Sequence, residues 1–123
     1  MADAIVVGTD GSDSAKRALD EAIRQRDQWI TAVTAAFADV ELLALPTMPL
    51  FPPHLDAIPQ DPTELVIALS SYCSVFNAAG TPATAQPIPA QGSALPASLQ
   101  LVGPAGSEDL LLATAKVVEG AVS

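Results

Sequence analysis

The spacing of apolar residues predicts a long, charged first helix and a shorter, more apolar second one. Between residues 13 and 37 there is no Gly or Pro, and apolar side chains recur three or four positions apart with charged residues between them. Such a helix would be about 37 Å long, so we expect it to break near residues 26–28 or to project beyond a sheet of short strands. A second stripe of helical period runs from Leu65 to Phe76, with Thr63 or Asp61 as its cap.

Four short apolar runs bounded by turn residues predict strands, at residues 4–8, 40–45, 83–88 and 98–102. A last helix is expected to begin with Ser107 as its cap, followed by acidic residues that the helix dipole favours, and to end at Gly120. We therefore expect one α/β domain over residues 1–123. Its small, largely parallel sheet would have about four strands covered by three or four helices, with a right-handed crossover joining the first two strands.

Composition narrows the classes of partner and compartment. Half of the residues are apolar but only 4% are aromatic, so the core must be built from Ala, Val, Leu and Ile. The net charge of -9 argues against a nucleic-acid partner, since phosphates are bound by Lys and Arg. Residues 1–8 lack the pattern of a signal peptide and no run is long enough to span a membrane. Because Cys73 is the only cysteine, a reducing cytoplasm is the expected compartment.

Three motifs in the second part of the chain follow one another in a recognisable order. They are Pro46-Thr47-Met48-Pro49 after a strand, then Phe76-Asn77-x-x-Gly80-x-Pro82-Ala83, then Leu95-Pro96-x-Ser98-Leu99-Gln100-Leu101-Val102-Gly103-Pro104-x-Gly106-Ser107. Over residues 25–123 this order and spacing resemble the C-terminal end of amidase signature family enzymes, the serine amide hydrolases.

The resemblance implies a mechanism whose residues are not found here. In that family a serine nucleophile is activated through a second serine and a lysine, within a Gly/Ser-rich signature upstream of the end segment. The only lysines here, Lys16 and Lys116, lie on predicted helices with no such glycine loop beside them. A covalent mechanism needs nucleophile, base and oxyanion site held together. The sequence therefore predicts no catalytic residue and no hydrolase activity of the chain on its own.

The same resemblance implies a wall for an amide pocket on the second helix. The candidate residues are Ser70, Ser71, Tyr72, Phe76 and Asn77. The alternative is structural, because Asn and Gly both tolerate the positive φ with which helices commonly end, and Asn77 and Gly80 are placed to do so.

A second motif, Ile5-Val6-Val7-Gly8-Thr9-Asp10-Gly11-Ser12, opens the chain. Over residues 1–23 it resembles the first strand and helix of universal stress proteins, which implies that Asp10 is a nucleotide-binding candidate. That family's glycine loop has no counterpart of matching spacing, and Pro104 removes an N–H that a phosphate would use. Together the two resemblances suggest a chimera, with residues 1–24 like a stress protein and residues 25–123 like an amidase.

Three functions stay open at this point. The chain is a non-catalytic amidase-family fragment or chimera, the non-catalytic subunit of a split amide hydrolase, or a stress-protein-like nucleotide-binding module. Truncating a larger sheet leaves apolar surface uncovered, so the expected partner is a second copy in a homodimer or a catalytic amidase-like chain. No metal or cofactor is expected, because the single histidine, His54, lies in a proline-rich loop near Asp56 and Asp61 without a full ligand set.

Overall fold

A computed structural model describes residues 10–122, which form three α-helices and a three-stranded sheet. In chain order the elements are α1 (Asp13–Ala36), β1 (Leu43–Pro46), α2 (Thr63–Ala79), β2 (Ala83–Ile88), β3 (Ala97–Val102) and α3 (Glu108–Val122). A single 3-10 turn, Leu55–Ala57, interrupts the proline-rich loop between β1 and α2. The strand predicted at residues 4–8, and with it the crossover to the next strand, lies outside the described residues.

Helix α1 is continuous, without the break considered near residues 26–28. Its start is capped by Ser12, whose hydroxyl accepts the Ala15 N–H at 3.1 Å. At 24 residues α1 is about 36 Å long, and its buried residue, Val33, lies near its C-terminal end. The second half of α1 bonds to α2 through Arg26 and Trp29, and the expectation that α1 projects beyond the sheet stays a prediction.

The sheet has the strand order β1-β3-β2, and both neighbours of β3 are antiparallel to it. The expectation of a largely parallel, four-stranded sheet is wrong for the described residues. The physical reason lies in the connection between β2 and β3, residues 89–96, which is eight residues long. A parallel crossover needs about a dozen or more residues, so this connection permits only a hairpin. Strands β1 and β2 are parallel to each other, and α2 joins them across β3.

The core lies on the two faces of β3. Gln100 pairs with Leu45 and Ala85 in the register of the sheet, and its amide donates to the Tyr72 main-chain oxygen of α2 at 3.4 Å. The neighbouring Leu101 points to the opposite face, which α3 covers. Four apolar side chains are buried among residues 10–122, namely Val33, Leu101, Val102 and Leu111. This is a small core for the part of the chain that the structure describes.

The ends of α2 follow the sequence closely. Gly80 has φ of 71° and ends the helix, while the Thr81 N–H donates to the Phe76 oxygen at 3.3 Å. Asn77 stays helical, so its expected positive φ is not found. At the other end the Asp61 carboxylate accepts the Thr63 N–H at 3.0 Å, and hydrogen bonds from Thr63 hold the pKa of Asp61 below its usual value.

Helix α3 departs from its predicted ends. The Ser107 hydroxyl is buried and has no partner among the described residues, so the expected side-chain cap is absent. The helix still begins there, because the Leu111 N–H donates to the Ser107 main-chain oxygen at 2.9 Å. At the C-terminal end α3 runs through Gly120 to Val122. No helix within the described residues is both long and apolar enough to cross a bilayer.

Candidate functional site

Helix α2 is held on two sides. Towards the sheet, the Cys73 thiol donates to the Thr47 oxygen at 3.2 Å. Towards α1, the Trp29 indole N–H donates to the Val75 oxygen at 2.6 Å, and the Arg26 side chain donates to the Ala78 oxygen at 2.9 Å. A cation at a helix C-terminus also interacts favourably with the helix dipole. These contacts fix the rotation of α2 and leave its remaining side free of α1 and the sheet.

That remaining side, which we call the outer α2 face, carries no charge. Helical spacing places Val66, Ile67, Ser70, Ser74 and Asn77 on it, and all five are exposed. The exposed fractions of Val66 and Ile67 are 56% and 63%. The one charged residue of α2 is Glu64, in its first turn. A helix in water usually turns charged residues outward, so this face is unusual for a solvent-exposed surface.

The serines on the outer α2 face do not make it strongly polar. The Ser70 hydroxyl donates to the Val66 oxygen at 2.7 Å, and the Ser74 hydroxyl donates to the Ser71 oxygen at 3.4 Å. Serine hydroxyls that bond to the preceding turn are satisfied within their own helix. Burial of this face would therefore cost no serine hydrogen bond, and the polar side chain on it that needs a partner is the Asn77 amide.

The structure does not bring the five predicted pocket residues together. Ser70 and Asn77 lie on the outer α2 face, about two turns apart. Ser71 is half-buried and donates to the Ala68 oxygen at 2.9 Å. Tyr72 and Phe76 lie on the side turned to the sheet, where Phe76 is half-buried and Tyr72 is 39% exposed.

An apolar groove of about 450 Å3 lies beside the sheet, between the loop after β1 and the segments around β2 and β3. No charged residue lines it, and its main polar side chains, Gln86 and Ser98, bond to Ala115 and Thr47. The sequence did not lead us to expect this groove. The one sequence feature related to the groove is the position of prolines at strand ends, where the missing N–H breaks no hydrogen bond between strands. The lining residues are Pro46, Met48, Pro49, Leu50, Phe51, Pro52, Ala85, Gln86, Pro87, Leu95, Pro96, Ala97 and Ser98.

Asp10, the nucleotide-binding candidate, bonds to the start of α1. Its carboxylate accepts the Ser12 N–H at 2.9 Å, and hydrogen bonds from the Ser12 backbone and side chain hold the pKa of Asp10 below its usual value. In the turn after β3, the Gly103 N–H donates to the Pro82 oxygen and the Ser107 N–H to the Pro104 oxygen, both at 3.1 Å. Those two N–H groups are therefore already engaged within the protein.

His54 and Cys73 have ordinary surroundings. His54 is exposed and precedes the 3-10 turn, where its main-chain oxygen accepts the Ala57 N–H at 3.0 Å. Cys73 is half-buried rather than fully buried. Within residues 10–122 no group of three or more His, Cys, Asp or Glu side chains is placed to hold a metal ion.

Comparison with known proteins relates the chain to subunits of glutamyl-tRNA(Gln) amidotransferases. It is 37% identical over 83 residues to such a subunit from Halobacterium salinarum, covering 68% of this chain and 19% of that protein. The corresponding protein of Prosthecochloris aestuarii is 32% identical over 96 residues, which is 78% of this chain and 20% of the relative. The corresponding protein of Sulfolobus acidocaldarius is 37% identical over 79 residues, which is 64% of this chain and 16% of the relative. The chain thus spans about a fifth of the relatives' length.

The sequence model of the Amidase family matches residues 6–112. This match runs through most of the segment that resembles universal stress proteins, and that second resemblance finds no support in the comparisons. By contrast, the match includes all three amidase-like motifs and both surfaces described above. The chain belongs to the amidase family.

Proposed function

We propose that this chain supplies the end segment of an amide-hydrolase fold, and that the nucleophile and its base belong to a catalytic part outside residues 1–123. That part is either the remainder of a longer polypeptide or a second chain, as in a split hydrolase. One observation carries the proposal: relatives that are 32–37% identical to this chain are covered over only 16–20% of their length. A continuous amidase match from residue 6 supports a single amidase origin over a chimera.

The contacts of the serines and lysines support a structural role. Hydrolysis through an acyl-enzyme needs a serine oxygen that a base can deprotonate. Ser70 and Ser71 instead donate to main-chain oxygens of their own helix. Lys16 lies 3.6 Å from the Asp13 carboxylate on exposed α1. The hydrogen bonds of Ser70 and Ser71 and the ion pair of Lys16 therefore give no support to a serine nucleophile with a lysine base in this segment.

The segment would still contribute to the substrate site of the complete enzyme. Ser70 and Asn77 are the predicted wall residues that face outward, and a catalytic part lying on the outer α2 face would bring them into contact with an amide substrate. The name of the relatives describes amide transfer on glutamyl-tRNA(Gln). For this chain we infer the broader class, an amide bond as the group acted on.

A segment exchange tests this proposal. In the amidotransferase relative from Prosthecochloris aestuarii, the matched stretch of 96 residues, extended so that it includes all of α1 to α3, is replaced by the corresponding residues of this chain. The relative's amidotransferase activity is then measured. We expect activity within about tenfold of the parent, a change of about 1.4 kcal/mol in transition-state stabilisation. The control is the same replacement with a scrambled segment, which should be inactive. A folded hybrid with no activity would contradict the proposal.

A further inference from the structure

We propose that the outer α2 face, which comprises Val66, Ile67, Ser70, Ser74 and Asn77, is the surface through which this chain docks onto the catalytic part of an amidase. The partner surface would be apolar and uncharged where it meets α2. This inference rests on the proposed function and adds the place of contact.

The surface area of the chain indicates that a large contact is missing. A compact monomer of 12.6 kDa exposes about 6,200 Å2, whereas this chain exposes 8845 Å2. The difference is about 2,600 Å2 on this scale. A standard interface buries roughly 800 Å2 on each partner, which is well within that difference.

The outer α2 face is the best of the exposed helix surfaces to bury. On α3 the most exposed apolar residues, Leu112 and Val117, are separated by Asp109 and Lys116 around the helix. The exposed side of α1 carries ion pairs such as Glu21–Arg24. Removing charges from water costs several kcal/mol for each ion, and even for an ion pair this cost can exceed the attraction between the two charges. The outer α2 face has no charge to desolvate, and its serine hydroxyls already have partners.

Charge favours a catalytic part over a second copy as the occupant. From residue 37 onward the chain has eight acidic residues and one lysine. Two copies joined through this region would bring like charges together, which costs free energy at an interface. The relatives have about four fifths of their length outside the matched segment, so a large amidase surface is available to cover this face.

The test uses the exchanged hybrid with a matched pair of variants. Ile67→Asp adds a charge on the outer α2 face, and Val117→Asp adds the same charge at a similarly exposed residue of α3; the exposed fractions are 63% and 72%. In the hybrid, Ile67→Asp should lower the unfolding midpoint by at least about 5 °C and the activity by at least tenfold. Val117→Asp should change the midpoint by no more than about 2 °C. In the isolated chain both variants should keep the wild-type helix content.

The outcomes separate the two proposals. An inactive hybrid with the unchanged segment counts against the proposed function. An active hybrid that tolerates Ile67→Asp, or that responds equally to Val117→Asp, overturns the docking face alone. Should Ile67→Asp unfold the isolated chain, the milder Ile67→Ser is used with the same expected direction. Hybrid molecules that pair with each other through Ile67 would show that a second copy occupies the face, which also overturns the inference.

Discussion

The indole N–H of Trp29 donates to the main-chain oxygen of Val75 at 2.6 Å and joins α1 to α2. The Arg26 side chain adds a second bond from α1, to the Ala78 oxygen at 2.9 Å. Both bonds lie at the C-terminal half of α2. They hold the helix in the rotation that turns Val66 and Ile67 away from α1 and the sheet, so the exposed apolar face depends on them.

Removing the indole N–H should loosen this junction. Trp29→Phe keeps an aromatic ring but loses the bond to Val75, and we expect the free energy of unfolding to fall by about 0.5–1.5 kcal/mol. Urea unfolding followed by circular dichroism measures it. The control is Gln28→Ala at the neighbouring exposed position of α1. Equal stability of the two variants would show that the Trp29 bond contributes nothing.

Two glycines form a matched pair for a second prediction. Gly103 is buried, and a Cβ there would clash with the Ser107 side chain and meet Leu42 at 3.0 Å. Gly103→Ala should therefore destabilise the protein by about 1–3 kcal/mol through overpacking. Gly120 lies within α3 with open space around it, so Gly120→Ala should stabilise by about 0.5–1 kcal/mol. Thermal or urea unfolding of both variants checks the opposite signs.

If Gly103→Ala proves neutral, the close approach of the strand end to Ser107 is not present in solution. The Ser107 hydroxyl is buried without a partner among the described residues. A neutral result would mean that packing against Gly103 does not explain this burial.

Much of the fold follows from local sequence, but the sheet does not. The helix end at Gly80 and the strand Ala83–Ile88 come from short-range chemistry, and the structure confirms them. Strand direction depends on long-range pairing, and only the length of the connection at residues 89–96 carries that information. The buried Ser107 hydroxyl could not be foreseen, because it depends on packing against Gly103.

The candidate site was harder to predict than the fold. The sequence identifies α2 but not its rotation, which the bonds of Trp29 and Cys73 to main-chain oxygens determine. The sequence therefore predicts one wall from five residues, whereas helical spacing puts Ser70 and Asn77 on the outer α2 face and Tyr72 and Phe76 on the side turned to the sheet. The groove beside the sheet is built from segments far apart in sequence, so the prolines at the strand ends did not indicate that those segments meet.

Acid should weaken α1 over a defined range of pH. Hydrogen bonds from Arg24, then Gln25, lower the pKa of Glu21 from 4.5 to about 2. A carboxyl whose pKa is depressed in the folded state stabilises that state above its unfolded pKa, and loses this effect as pH falls through the folded value. Helix content by circular dichroism should therefore decline between about pH 4.5 and 2, the interval set by these values. In Glu21→Gln this part of the decline should be missing, and an unchanged titration would contradict the assignment.

In the absence of a catalytic part, the isolated chain should cover its apolar surface by pairing as a symmetric dimer. The opposing term is repulsion between chains of net charge -9, which salt screens. We expect light scattering to show association that strengthens with salt, and Ile67→Asp to shift the chain towards a monomer while Val117→Asp does not. A protein concentration of about 100 µM lies well above a micromolar dissociation constant. A strictly monomeric wild-type mass at that concentration in moderate salt would contradict this prediction.

The central claim is that the chain provides part of an amidase fold but not its nucleophile. The most direct measurement is hydrolysis of anilides, fatty amides and nitrophenyl esters by the purified chain, after circular dichroism has confirmed that it is folded. We predict no turnover above background, since most of the rate enhancement depends on a nucleophile and a base, which we propose lie outside residues 1–123. Turnover that survives Ser70→Ala and Ser71→Ala would indicate a contaminating enzyme. Turnover that either substitution abolishes would contradict the claim.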